Sequence, residues 1–432
     1  MTQADKPPPE PARPEQLDLI GDRAPPAAGP IAWTPTRAAG LARLNTFAPS
    51  AGRAYASTRN YDYGPEARGN VSALSPWVRA RLVLEREVLD AALSRHASSA
   101  AEKFVQEVYW RAYFKGSLEN RPSVWRAYRE GVAADLERLD ATPALARAVG
   151  DAVDGRTGID CFDAWARELI ETGYLHNHAR MWFASIWIFT LRLPWRLGAD
   201  FFYRHLLDGD PASNTLSWRW VGGLHTKGKT YLATASNIAR YTEGRFAPTG
   251  LAHEAPALTE DDTHAIAPPP LDAAAPTGPD VGLLITEEDC AADGFPIDAP
   301  RAAIGLTATA ARSPGPVGEK AHAFTTGAVA DALSRVRAAA GCDVEQRDTG
   351  DWGAALADWT ARNGVRTIAA AYQPVGPSAE RLGAAAPALR AAGLTLVTPA
   401  RPYDRAVWPY ATKGFFHVKK KIPTLLRDHG LS

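Results

Sequence analysis

Two different hydrophobic patterns divide this chain. From Trp33 to about Phe246 apolar positions recur at helical spacing. In AEKFVQEVYWRAYF, Phe104, Val105, Val108 and Ala112 form one stripe. Glu107, Trp110, Arg111 and Phe114 form a second at i, i+3, i+4, i+7. Such a helix lies between a core and something else. In LHNHARMWFASIW, Asn177, Arg180, Met181 and Ala184 share one helical face. The apolar run Met181–Leu191 is too short to cross a bilayer and ends at Arg192, so it reads as a buried helix. After residue 280 the pattern changes to short apolar runs: VGLLIT (281–286), AAIGLT (302–307), VRTIAAAY (365–372) and LTLVTPA (394–400). These read as buried strands, with helical runs such as AFTTGAVADALSRVRAAAG and SAERLGAAAPALRAAG between them. Alternating strands and helices predict a parallel sheet covered on both faces.

Between the two regions, residues 247–280 are rich in Pro and Ala and lack periodicity, which predicts an interdomain linker. Residues 1–30 are polar and proline-rich and read as a disordered tail with no signal-peptide core. The chain closes on KGFFHVKKKIPTLL, amphipathic and basic. The predicted organisation is therefore a tail at 1–30, an all-helical domain at 31–246, a linker at 247–280 and a doubly wound, Rossmann-like α/β domain at 281–432. No strand is followed by G-x-G-x-x-G, and no P-loop pattern is present, so neither standard nucleotide site is indicated.

Composition narrows this only a little. The chain has 432 residues and zero formal net charge, but residues 31–246 hold more Lys and Arg than Asp and Glu, an excess compatible with a polyanionic partner. Three widely spaced cysteines (Cys161, Cys290, Cys342) suit a reducing compartment and make no metal pattern. His176 and His178 stand two apart on a helix and cannot jointly face a metal, so none is expected. A cytoplasmic monomer with no membrane association is the expectation.

Chemistry concentrates in LLDGDPASNTLSWRW, Leu206–Trp220. Asp210 followed by Pro211 is a helix start: Asp caps, and Pro fits the first helical position. Capping does not explain Asp208, which closes the apolar segment FFYRHLL. A partly buried carboxylate there needs a cation, and Arg180 is the candidate.

These residues resemble the photolyase/cryptochrome flavoproteins. TGYLHNHARMWFAS is similar to the family's TG-W-x-H-N-R-x-R-M segment, and LLDGDPASNTLSWRW to its LIDGD-x-A-x-N…W-x-W segment. QEVYWRAYF resembles E-L-x-W-R-E-F-Y, NVSALSPWVR resembles T-S-x-L-S-P, and YASTRN resembles the tyrosine and basic residue upstream of that turn. The resemblance implies a helical domain that wraps FAD. Tyr55, Ser72, Leu74 and Ser75 match positions at its phosphates and ribitol, and Arg111 matches a further cofactor-binding position. Asn177, Arg180, Asp208 and Asp210 match positions lining isoalloxazine and ribose, and Asn214 matches the one facing flavin N5. Glu107, Trp110, Asn177, Met181 and Trp220 match the positions that receive a flipped-out pyrimidine dimer, with Glu107 protonated or sharing a proton. Trp218 and Trp195 match the inner and middle members of an electron-transfer tryptophan chain.

Departures are equally specific. The family's Thr and Arg in the phosphate turn are Val71 and Ala73, the Arg after H-N is His178, and the acid of W-R-E-F-Y is Ala112. The outermost tryptophan falls at Ala152, leaving Trp165 or a tyrosine as the substitute. The order of domains is inverted: the family's antenna domain precedes its helical domain, and here the α/β domain follows. A second, antenna chromophore is left open, as is a plain packing role for that domain. The implied function is light-driven repair of cyclobutane pyrimidine dimers in UV-damaged DNA by electron transfer from reduced FAD. The alternative is a cryptochrome-like photoreceptor without repair, and a third reading is a light-independent flavin- or DNA-binding protein.

Overall fold

The computed structural model describes residues 29–261, 263–292, 294–297 and 299–431. The expected tail thus lies outside the described residues except for Gly29 and Pro30. The first half is a stack of helices: α1 (Arg37–Phe47), α2 (Arg53–Thr58), α3 (Ser75–Arg79), α4 (Glu85–Leu93) and the long α5 (Ser98–Glu119). Then come α6 (Pro122–Ala141), α7 (Pro143–Val153), α8 (Asp160–Thr172), α9 (Asn177–Ser185), α10 (Trp195–His205), α11 (Pro211–Val221) and α12 (Ala235–Tyr241). The run Ile186–Thr190 continues α9 as a π turn.

Local chemistry sets several of these boundaries. Thr36, Asp210 and Thr234 each accept a backbone N–H at the start of a helix, replacing a bond that the first turn lacks. Gly173 ends α8 at φ 70°, where a side chain would also strike Leu207. That stop frees Tyr174–His176 to turn into α9. His176 sits before the helix as its cap, accepting from the His178 N–H, and not within the helix as the sequence pattern had it. The core of this half is aromatic: Trp182, Phe183, Trp187, Phe202 and Trp218 are buried together.

The second half carries β1 (Val281–Ile285), β2 (Ala302–Leu306), α13 (Glu319–Ala340), β3 (Asp343–Arg347), α14 (Trp352–Asn363), β4 (Thr367–Ala370), α15 (Pro377–Ala391) and β5 (Thr395–Val397). Every pairing is parallel and the order is β3-β2-β1-β4-β5. On one face α13 packs Val329 and Leu333 with Leu283 and Ile285. On the other, Trp352 and Trp359 of α14 and Leu382 of α15 cover Leu284, Ile304 and Ile368. The apolar runs mark β1, β2, β4 and β5 within a few residues. They miss β3, because this edge strand, DVEQR, has a single apolar residue among charged and polar ones and so carries no apolar run.

The strand order reverses between β1 and β4, and in such sheets the crevice at the strands' carboxyl ends is the usual ligand site. Here that crevice meets the helical half. The Glu119 carboxylate at the end of α5 accepts the Val375 N–H at 2.6 Å and the Tyr372 hydroxyl at 2.8 Å. The closing helices α16 (Pro402–Val407), α17 (Phe415–Lys419) and α18 (Ile422–Asp428) pack on α5. Residues 247–280 follow the helical surface without forming helix or strand among the described positions. Leu258 N–H bonds Gly222 O, Ala267 N–H bonds Asn120 O, and Arg219 pairs with Glu260. Among the described residues no helix is long and apolar enough to cross a membrane.

Candidate functional site

Arg180, one turn into α9, points at the loop between α10 and α11. Its Nη2 reaches Asp208 Oδ2 at 2.9 Å and its Nε donates to Leu175 O at 3.0 Å. Arg180 and Arg68 both lie over the Tyr174 ring, at 5.3 and 4.8 Å. Burial alone would lower the Arg180 pKa; Asp208 and then Tyr174 outweigh it and hold it above its ordinary value. The other carboxylate oxygen, Asp208 Oδ1, is buried with no hydrogen-bond partner among the described residues. A buried acceptor oxygen in that state lacks the hydrogen bond that would offset its loss of water.

Asp210, two residues on, is in the opposite condition. Oδ1 accepts from Ala212 N and Ser213 N at 3.0 and 2.8 Å, and Oδ2 lies 3.1 Å from Lys115 Nζ and 3.6 Å from Arg79 Nε. Burial opposes its charge, but Lys115 and Arg79 prevail and hold the carboxyl far below the usual range. The same cations face Glu288 after β1, with Arg79 Nη2 at 2.7 Å and Lys115 at 3.6 Å. Arg81 meets Asp404 at 2.7 Å, Asp289 at 3.3 Å and Glu85 at 3.6 Å. A buried charge network therefore joins the two halves. Sequence reasoning missed Arg79, Arg81, Lys115, Glu288, Asp289 and Asp404. The one available signal was the acidic TEED directly following the apolar β1 run.

The phosphate-side candidates gather around α2 and α3. Ala73 adopts φ 50°, the left-handed region, in a turn held by Arg43 Nε donating to Ser72 O at 2.7 Å. Ser72 and Ser75 are half-buried, while Leu74 is buried at the start of α3. Arg111 donates to Val78 O at 3.1 Å, and its Nη1, without a hydrogen bond among the described residues, lies 3.8 Å from Glu85 Oε1 as an ion pair. Tyr55 is buried against Phe47 and Phe104, and burial first, then Glu107, raises its hydroxyl far above the usual phenol range.

The substrate-side candidates each have a partner within the chain. Glu107 accepts a hydrogen bond from Arg59 through Oε1. Trp110 stacks on Phe415 with centroids 3.8 Å apart, and Trp220 stacks on Tyr231 at 5.7 Å. Asn177 is exposed and Met181 half-buried, both on α9 with Arg180.

Trp218 is buried edge-on to Phe202 at 5.2 Å and to Trp187 at 6.3 Å. Gly198 lets this indole approach α10; a methyl there would sit 2.4 Å from it. Asn214 donates one amide hydrogen to Ala199 O at 2.8 Å, leaving the second. The ring beside Trp195 is Tyr128 at 6.0 Å, followed by Trp125 at 5.3 Å. Trp165 instead stacks on Trp182 at 5.5 Å and bonds Asp62, so a tyrosine and not Trp165 adjoins Trp195. Ala152 is fully buried in the core.

Residues 104–250 match the family described as the FAD binding domain of DNA photolyase. The chain is 33% identical over 195 residues to a deoxyribodipyrimidine photo-lyase of Agrobacterium fabrum, covering 44% of this chain and 39% of that one. It is 36% identical over 203 residues to a deoxyribodipyrimidine photo-lyase of Thermus thermophilus, covering 46% and 45%. The chain thus spans less than half the length of these curated relatives. A crystal structure of a bacterial class III photolyase from Agrobacterium tumefaciens is similar with a TM-score of 0.40 and 28% identity, over 49% of this chain and 43% of that one.

Proposed function

We propose that the helical half of this chain, which matches the FAD binding domain of DNA photolyase, is of the photolyase/cryptochrome kind, binds FAD and repairs cyclobutane pyrimidine dimers in DNA with light. Arg180, Asp208 and Asn214 would hold FAD, which when bound would supply light-driven one-electron redox chemistry for opening the dimer ring, with no net oxidation or reduction over the cycle. The observation that carries the reading is Asp208. Its carboxylate is fixed by Arg180 at 2.9 Å, and its second oxygen is buried without a donor inside the segment that matches an FAD-binding domain.

The donor set fits that cofactor. Arg180 and Asp208 offer a charged pair at the isoalloxazine, and Asn214 offers its second amide hydrogen. Ser72, Ser75, Tyr55, Leu74 and Arg111 supply hydroxyls, backbone N–H groups and a guanidinium for the phosphates and ribitol. Asp210 is already saturated by its own chain, so we assign it the positioning of the Asp208 loop and of α11. Glu107, held by Arg59, orients an acceptor toward the dimer, while Trp110, Met181, Asn177 and Trp220 line its path. Trp218 and Trp195, continued by Tyr128, form the aromatic route for photoreduction.

The photoreceptor reading has an observation in its favour: Phe415 and Tyr231 already occupy faces of Trp110 and Trp220. One assay separates the two. The chain loaded with FAD and chemically reduced is mixed with UV-irradiated oligothymidylate and split between blue light and darkness. Dimer loss in light alone supports repair; FAD bound with no light-dependent loss supports photoreception.

A further inference from the structure

We propose that Phe416, Lys413 and Lys420 form a contact for single-stranded DNA on the C-terminal segment, beside the Trp110 face of α5. The proposal rests on the DNA reading above and adds a surface that no matched motif covers.

Phe415 and Phe416 are consecutive but face opposite ways. Phe415 is buried on Trp110, and Val418 is buried with it, which anchors α17 to α5. Phe416 is 74% exposed. A single exposed aromatic is ordinary on any surface and carries nothing alone. Its surroundings are the second observation. Lys420, four residues on and the C-cap of α17, continues the same helical side, and Lys413 immediately precedes the N-cap Gly414. Both are exposed and make no ion pair among the described residues. The other basic groups of the segment are engaged: Lys419 with Glu102 at 3.5 Å, Lys421 over the Tyr410 ring at 5.3 Å, and His417 with Tyr410 O at 2.8 Å. Two ammonium groups with no ion pair among the described residues thus stand within four residues of one exposed apolar ring, on a segment already held in place.

A partner that fits is a polyanion with apolar faces, which describes unpaired nucleotides: the base stacks on the ring and phosphates meet the lysines. An anionic membrane fits less well, because α17 offers only Phe416 outward and an interfacial helix needs a broad apolar face.

The test titrates the full chain with short fluorescein-labelled oligothymidylate at several salt concentrations, following anisotropy. F416A is expected to weaken binding by roughly fivefold or more, the effect of losing one base stack, and F416W to restore it. K413Q/K420Q is expected to weaken binding and reduce the salt slope by about 1.4, two phosphates on a single strand. All three positions are exposed, so folding is not at stake. Wild-type binding that F416A and K413Q/K420Q leave unchanged overturns this contact while sparing the DNA reading. No binding by the wild type at low salt overturns both. Retention on phosphatidylserine–phosphatidylcholine vesicles that F416A abolishes, with DNA affinity unaltered, assigns the surface to membrane and overturns the proposal.

Discussion

The phenyl ring of Phe415 lies flat on the indole of Trp110, centroids 3.8 Å and planes 12° apart. A base cannot stack on that face of Trp110 while Phe415 holds it, so repair through Trp110 requires the C-terminal segment to move. Phe415→Ala is expected to lower stability to urea by about 3–5 kcal/mol, the usual result of truncating a buried Phe. It is also expected to raise the preference for irradiated over unirradiated oligothymidylate. A variant that loses stability with an unchanged preference means that Trp110 is a packing residue and the lesion site lies elsewhere.

Glu288 tests the junction between the halves. Removing it by Glu288→Ala leaves Arg79 and Lys115 buried with Asp210 as their remaining ion-pair partner among the described residues. Uncovering a buried charge in this way costs about 3–5 kcal/mol, readable in thermal or urea unfolding. A change below about 1 kcal/mol would show that water reaches the cluster and screens it.

Glu119 gives the junction a pH dependence. Burial raises its carboxyl to about 7 from 4.5, despite lowering by the Val375 N–H and the Tyr372 hydroxyl. Between those values the folded chain holds a proton that the unfolded chain has released, so stability falls as pH rises through the window and levels off above it. Glu119→Gln keeps an acceptor for Val375 and removes the titration. Relative to this variant, the wild type should lose up to about 3 kcal/mol between pH 4.5 and 8, by urea unfolding at each pH. Parallel stability curves would place the Glu119 carboxyl at its ordinary value.

How much of this could be read from the residues alone depends on the range of each interaction. Asp208 was legible because a carboxylate ending FFYRHLL cannot be buried alone, and Arg180 lies only 28 residues away with a polar face. The Asp210–Pro211 helix start and the four apolar strands were legible because caps and burial are local rules. The edge strand DVEQR was not, since it has one apolar residue and no apolar run. Nor was the Trp110–Phe415 stack, made by residues in different halves with no shared pattern. The meeting of Arg79, Arg81 and Lys115 with Glu288, Asp289 and Asp404 was hidden for a related reason: equal numbers of both signs leave no trace in net charge.

Asp208→Asn separates the cofactor role of this residue from its packing. The amide preserves shape but removes the anion from Arg180, and losing a hydrogen bond to a charged group costs about 1.5–3 kcal/mol. FAD affinity should therefore fall about ten- to hundredfold with the fold intact by circular dichroism. An unchanged affinity would confine Asp208 to holding Arg180.

The most direct measurement is the stoichiometry of FAD on the purified chain. After incubation with excess FAD and gel filtration, visible absorbance of the protein peak is expected to report about one flavin per chain, since one Arg180–Asp208 pair leaves one buried acceptor oxygen without a hydrogen bond among the described residues. A folded, colourless peak would contradict the account, because the orphaned Asp208 oxygen would then belong to something other than a flavin.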